Sequence, residues 1–425
     1  MRLLIIGNPE EFHVGAHLFR AALDSGIEPH LSDVRHAFEG PMLWRRIHWR
    51  IFKNRPLRLN RFSQSVLDDC QAFHPDVILT TGIAPVTQSV LNQVGIEGIT
   101  RFNFLTDDPW NRAHYAPWFL RALPCYDHVF SPRRSNLADL RAHGCRDVSW
   151  LPFAYSPELH APWGEEPLRG PIQNPKSKIQ NPLVQESEVS LSASLSAVAL
   201  AKAEASATAE GQTSDVRCPE ALAANRQPSI LDPPSSISDS LPADLLFTGG
   251  ADADRIPYFD ALAKAGFDVH LYGDYWDRYA PTRPLFRGYA DPHQMPELVA
   301  HARICLGLVR RANRDGHSMR TFEVPAMKGC FLVEETEDHR EFFGPDGECV
   351  LFFRNIPEMI QKARWLLDHP NDRQRLAETC HQRIVGGKNT YADRLRMILQ
   401  PIDHQRSEAR GQRSEIRSQG VTGKS

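Results

Sequence analysis

The sequence predicts an α/β protein of two domains, each a parallel sheet wrapped by helices, with the sheets facing one another across a cleft. Three observations lead there. The chain has 425 residues, more than one ordinary domain needs. Short apolar runs of strand length alternate with helically spaced patterns through residues 1–163, and the same alternation returns through 242–403. Between them, residues 164–241 are rich in Ser, Ala, Pro, Gln and Asn, repeat the fragment Ile-Gln-Asn-Pro, and carry no pattern able to bury a core. A loop of that length belongs between domains rather than inside one.

In the first block, Leu3–Ile6 reads as a buried strand and Val14–Leu23 as a helix ending near Gly26. Strands follow at Asp76–Thr80, Ile99–Leu105, Asp127–Phe130 and Asp147–Phe153. In the second block, Leu245–Thr248 is a strand closed by Gly249-Gly250, Pro257–Ala265 a helix, and Phe267–Tyr272 the next strand. Met295–His301, Ile304–Val309, Arg320–Lys328, Phe331–Val333 and Val350–Phe353 continue the alternation. Helices around Pro357–Asp368 and Asp372–Val385 precede one at Tyr391–Leu399, expected to cross back to the first domain. The tail 404–425 is polar and repetitive and is expected to be disordered.

Composition narrows the function classes. A formal net charge of -3 gives no global attraction to nucleic acid. The eight cysteines form no Cys-x-x-Cys pair and no zinc-spaced cluster, so they read as reduced core residues. The opening MRLLIIGNPEE has an apolar run too short for a secretory signal, and no stretch approaches the roughly 20 apolar residues of a membrane span. A cytoplasmic protein, at most peripheral at the inner face of a membrane, is expected.

Several residues carry chemistry. Gly249-Gly250 sits between a strand and a helix, where backbone can approach a phosphate, and Arg255 opens that helix. The ordinary reading is a plain strand-to-helix turn with a solvated arginine. Asp315-Gly-His-Ser-Met-Arg-Thr-Phe-Glu323 places two carboxylates and Arg320 just ahead of a helix. There Glu323 can accept two ribose hydroxyls, Arg320 can bind a phosphate bidentately, and Asp315 can face a donor sugar. The competing reading is an acidic first turn that complements the helix dipole. Asp107-Asp108-Pro109 follows a strand, so either carboxylate can bind acceptor hydroxyls or act as base; the alternative is turn punctuation. His13 lies in the first loop after a strand, at the same cleft edge. Since Asp107 and Asp108 are adjacent, they diverge on an extended backbone, and no Asp-x-Asp motif offers a metal site.

The second block resembles the donor domain of retaining group-1 glycosyltransferases, in which a Glu, seven residues and a second Glu precede an Ala-Met-x-x-Gly helix. Glu323 matches the second carboxylate; Asp315 replaces the first. The match is closer to the CgeB-like, spore-maturation-type branch. It rests on Gly249, Arg255, Tyr272-Gly273-Asp274-Tyr275-Trp276, Arg320-Thr321-Phe322-Glu323 and the closing Asn-Thr-Tyr-Ala-Asp-Arg-Leu-Arg. In the first block it rests on His-Pro-Asp-Val-Ile-Leu, Thr-Asp-Asp-Pro and Tyr-Asp-His-Val-Phe. The resemblance implies a GT-B fold of two Rossmann-like domains and a hexosyltransferase-like enzyme using a nucleotide-sugar donor. It also implies no cofactor, no required metal, and a role in cell-surface polysaccharide or glycoconjugate synthesis. The acceptor, a glycan, lipid-linked or protein molecule, stays open. A non-catalytic nucleotide-sugar-binding protein and a nucleotide-sugar epimerase are the alternatives. A dinucleotide-dependent dehydrogenase is disfavoured, because the first turn reads Gly7-Asn8-Pro9-Glu10 and lacks G-x-G-x-x-G.

One patch stands apart. Residues 44–61 contain no acid, and Trp44, Ile47 and Ile51 recur at helical spacing beside Arg45, Arg46 and Arg50. Peripheral contact with an anionic membrane is one reading. The favoured one is a surface helix whose apolar stripe packs on the first sheet.

Overall fold

The computed structural model describes residues 1–165 and 242–402. Most of the low-complexity segment, residues 166–241, and the polar tail lie outside the described residues.

Six strands form the first sheet: β1 (Arg2–Gly7), β2 (Glu28–Asp33), β3 (Val77–Thr81), β4 (Thr100–Phe104), β5 (His128–Ser131) and β6 (Asp147–Trp150). Their order is β2-β1-β3-β4-β5-β6, and every pairing is parallel. Six more form the second: β7 (Leu245–Thr248), β8 (Val269–Tyr272), β9 (Phe286–Gly288), β10 (Ile304–Gly307), β11 (Phe331–Glu334) and β12 (Leu351–Phe353). Their order is β12-β11-β10-β7-β8-β9, again all parallel. Central strands such as Leu3–Ile6 are buried on both faces, which is why they read as unbroken apolar runs.

Each order reverses direction at one point, between β1 and β3 in the first sheet and between β7 and β10 in the second. In open parallel sheets the crevice beyond the strand C-termini at such a point is where ligands bind. His13 follows β1; Gly249, Gly250 and Arg255 follow β7. Both groups therefore stand at switch points.

A last helix over 391–402 joins the domains. Tyr391, Leu395 and Ile398 share one buried cluster with Leu3, Ile5 and Phe153 of the first domain and Phe322 and Val333 of the second. Its start is a capping box: Thr390 Oγ1 accepts from the Asp393 amide, and Asp393 Oδ2 accepts from Thr390 N and Oγ1. Buried Arg394 donates to the carbonyls of Pro152, Phe153 and Lys388. Those bonds give the closing Thr-Tyr-Ala-Asp-Arg segment its physical meaning: it is a clamp on the end of the first domain.

The structure departs from the sequence reading in three places. Strand β2, Glu-Pro-His-Leu-Ser-Asp, is an edge strand with one buried residue, so it has little apolar signal and tolerates Pro29. Strand β9 is a three-residue edge on the other sheet. The helix Met42–Ile51 is the third. Its apolar stripe does not pack on the sheet: it has no buried residue, and Leu43, Trp44 and Ile51 are 67%, 60% and 66% exposed. The first sheet is covered instead by the helix Leu59–Phe73, through Phe62, Val66 and Leu67. The seven described cysteines are free, and six are buried.

Candidate functional site

The second-domain half of the cleft is built on the β7 end. Gly249 has a φ of 155°, and its carbonyl accepts from Trp276 Nε1 at 2.7 Å. Gly273 comes so close that a Cβ there would sit 2.5 Å from the Gly249 oxygen. The Tyr-Gly-Asp-Tyr-Trp turn thus shapes the β7 loop from behind. Buried Arg255 donates to Gly250 O at 2.9 Å and Leu308 O at 3.3 Å, tying the β7 loop to the β10 end across the switch point. Asp252 lies 3.4 Å from Arg255 Nε and 3.5 Å from Arg310 Nε, so two guanidinium groups converge on one carboxylate beside the glycines.

The helix Arg320–Ala326 starts against the same loop. Arg320 Nε donates to Thr248 O, the last carbonyl of β7, and its Nη1 pairs with Glu323 Oε2. Loss of hydration lowers the Arg320 pKa to about 10, which still leaves it charged at neutral pH. Glu323 is 1% exposed, and its other oxygen faces His160 Nε2 at 3.8 Å, beyond hydrogen-bond length. The backbone N–H of Ser156 donates to His160 Nδ1 at 3.0 Å, so the imidazole proton sits on Nε2, towards Glu323. Burial, with His17 and Arg320 nearby, pushes the His160 pKa well below the usual imidazole value. His17 is also buried, with its pKa down to about 3, and stacks on Tyr391 at 4.5 Å. Among the described residues His17 Nε2 has no hydrogen-bond partner.

The loop after β10 crosses to the first domain. Asp315 accepts from Arg133 Nε at 2.5 Å, and Arg133 also donates to Thr106 O. Arg314 grips Asp108 through Nε at 2.7 Å and Nη2 at 3.1 Å, and reaches Asn136 and Asp139. Gly316 has no room for a side chain, since a Cβ would fall 2.3 Å from Asp338 Oδ2. That oxygen accepts from His317 Nδ1 at 2.7 Å, while the Phe153 amide donates to His317 Nε2. The Asp-Gly-His triplet is therefore a domain contact as well as a cleft wall.

On the first domain, Asp107 stays at the cleft, half-buried, with Thr106 Oγ1 3.3 Å from its Oδ2. Gly82, in the left-handed region at φ 62°, leaves it space: a Cβ would stand 3.0 Å from the same oxygen. Loss of hydration lowers the His13 pKa, against smaller opposing effects of Glu10 and then Asp107. Glu10 is 3.3 Å from His13. Asp107 and His13 thus share one edge, whereas Asp108, 1% exposed, is engaged by Arg314.

Sequence reasoning did not single out Arg133, Arg314, Arg310, His17 or His160. Arg133 follows the β5 end as Asp107 follows the β4 end, so position after a strand was the available signal. His17 and His160 carry none, because only the fold brings His160 opposite Glu323 and His17 beside His160.

Residues 255–400 match the family model described as glycosyl transferase-like. No curated protein matches the chain. Among solved structures, sucrose-phosphate synthase from Thermosynechococcus elongatus is similar at 11% identity and a TM-score of 0.58, covering 96% of this chain and 100% of its own. A glycosyltransferase from Rickettsia africae is similar at 10% identity and a TM-score of 0.52, over 94% and 97%. HepE of Anabaena, solved with UDP-glucose, is similar at 12% identity and a TM-score of 0.52, over 96% and 100%. These likenesses establish the architecture, and among the described residues no helix is long and apolar enough to cross a membrane. The chain thus carries a glycosyl transferase-like region, residues 255–400, on a GT-B fold of two Rossmann-like domains.

Proposed function

We propose that this protein transfers a hexosyl group from a nucleotide-sugar donor to an acceptor hydroxyl, with retained anomeric configuration and without a metal, as a member of the CgeB-like branch. The observation that carries the reading is the arrangement of Arg320 and Glu323 at a helix start, against the glycine turn after β7. A buried carboxylate there suits two ribose hydroxyls, and a guanidinium beside it suits the diphosphate. Donor binding exchanges partners: Arg320 turns from Glu323 to phosphate, freeing both carboxylate oxygens. Asp315, opposite Arg133, contacts the sugar, and Asp107 with His13 holds the acceptor. In the transfer step the anomeric carbon–oxygen bond to the diphosphate breaks and a bond to the acceptor oxygen forms on the same face. The acceptor proton leaves with the diphosphate or to Asp107. Arg320 and Arg310 supply the positive field that a metal supplies elsewhere. HepE, with UDP-glucose, suggests the first donor to try.

Calorimetry with UDP and UDP-glucose, followed by product analysis with chelator present, tests the proposal. Binding of both ligands and acceptor-dependent release of UDP are expected. Release of an altered free nucleotide sugar would point to an epimerase, and binding without turnover to a non-catalytic protein. Binding of neither UDP nor any of a panel of nucleotide sugars would overturn the reading.

A further inference from the structure

The helix Met42–Ile51 turns its apolar side to solvent, in a region from Gly40 to Leu67 without an acidic residue. At about 100° per residue, Leu43, Ile47, Ile51 and Trp44 fall within one arc of about 100°. They are 67%, 37%, 66% and 60% exposed, and Phe52 extends the strip at 52%. Arg46 and Arg50 border this arc on one side, and Lys53 follows at its end. Among the described residues none of these three has an acidic partner. Arg58, by contrast, is neutralised by Glu39.

The strip is rigidly mounted. Lys53 and Asn54 both take left-handed backbone, φ 50° and 59°, and end the helix abruptly. Asn54 Nδ2 donates to the carbonyls of Ala113 and Tyr115 at 2.9 and 3.1 Å, and Trp118 Nε1 donates to Asn54 O at 3.1 Å. The helix is thereby fixed to the segment after β4, whose loop carries Asp107.

We infer that this face docks in the interfacial layer of an anionic lipid bilayer, with Leu43, Trp44, Ile47 and Ile51 inserted and Arg46, Arg50 and Lys53 at the headgroups. The charge asymmetry favours lipid over a protein partner. A wholly basic border beside an apolar arc complements a continuous anionic plane, and long arginine stems can lie along the apolar edge with their heads in the polar layer. Aromatic Trp44 and Phe52 suit the same layer. The inference is independent of which sugar, if any, is transferred.

Sedimentation of the full chain with phosphatidylglycerol–phosphatidylcholine vesicles tests it. Binding is expected at low salt, weaker at high salt, and lost on pure phosphatidylcholine. Arg46→Ser with Arg50→Ser should weaken it about tenfold or more. Trp44→Ser with Ile47→Ser and Ile51→Ser should abolish it while leaving the melting temperature intact, since these side chains make no core contact. Binding that ignores both variants, or no binding to anionic vesicles, would overturn the inference. So would a wild-type dimer that dissociates in the triple variant without vesicle binding, which would give the face to a second copy of the chain.

Discussion

Arg133 and Asp315, one from each domain, meet in a buried ion pair across the cleft, Nε to Oδ1 at 2.5 Å, with side chains 5% and 9% exposed. Because Arg133 is also held by the Thr106 carbonyl, it cannot follow Asp315 if the domains part. The pair therefore helps to set how the two sheets face one another, beside the Arg314–Asp108 pair and the last helix. Asp315→Asn should leave an uncompensated guanidinium and cost about 3–5 kcal/mol in denaturant unfolding. Replacing both partners, Arg133→Met with Asp315→Leu, should recover much of that loss. An Asp315→Asn protein as stable as wild type would show that the contact does not hold the domains.

Glu323 bears on stability and on the donor. From sequence alone a helix-start carboxylate contributes little, but this one is buried against Arg320. Glu323→Gln should therefore cost roughly 1.5–3 kcal/mol in stability and lower donor affinity by about tenfold or more. Asp315→Asn should spare binding of the free nucleoside diphosphate and weaken the sugar donor. Calorimetry below the unfolding transition separates the two; unchanged donor affinity in Glu323→Gln sinks the ribose assignment.

Acidification should destabilise the fold from about pH 6.5 downwards. His17 and His339 have pKa values lowered to about 3 and about 4, and burial lowers those of His160 and His317 as well. Each is harder to protonate in the fold than in the unfolded chain, where the ring takes a proton below about 6.5. The unfolded state then binds more protons, at up to about 1.4 kcal/mol per pH unit for each histidine. Asp338, whose pKa is lowered by His317 and Arg134 against the effect of burial, adds a further loss below its ordinary value. Urea titrations between pH 7.5 and 4.5 test this; a flat profile would mean that these rings are solvated. His339→Gln should flatten the slope, as its ring bridges Thr321 Oγ1 and the Glu334 carbonyl and takes no part in the cleft.

Replacing residues 166–240 by a short flexible linker should leave cooperative unfolding and donor binding near wild type. Every strand among the described residues, and every candidate site residue, lies in 1–165 or 242–402. Loss of cooperativity would show that the segment packs on a domain.

The sequence by itself determined the two-sheet architecture and most of the strands, because buried parallel strands must be unbroken apolar runs, as in Leu3–Ile6, Leu245–Thr248 and Ile304–Gly307. It also placed Gly249, Arg255, Asp315, Arg320, Glu323, His13 and Asp107 at strand ends and helix starts, since those positions follow from local chain order. It could not place β2 and β9, whose edge positions require little apolar surface. It misjudged the helix Met42–Ile51, because periodicity shows that an apolar stripe exists and not what covers it. Only the tertiary structure decided that Asp108 belongs to Arg314 and Asp315 to Arg133, and that His160 stands opposite Glu323. Those partners stand up to about two hundred residues apart in sequence, as Asp108 and Arg314 do at a separation of 206. Pairings between charged groups depend on which strand ends the two sheets bring together, and no local pattern of residues records that.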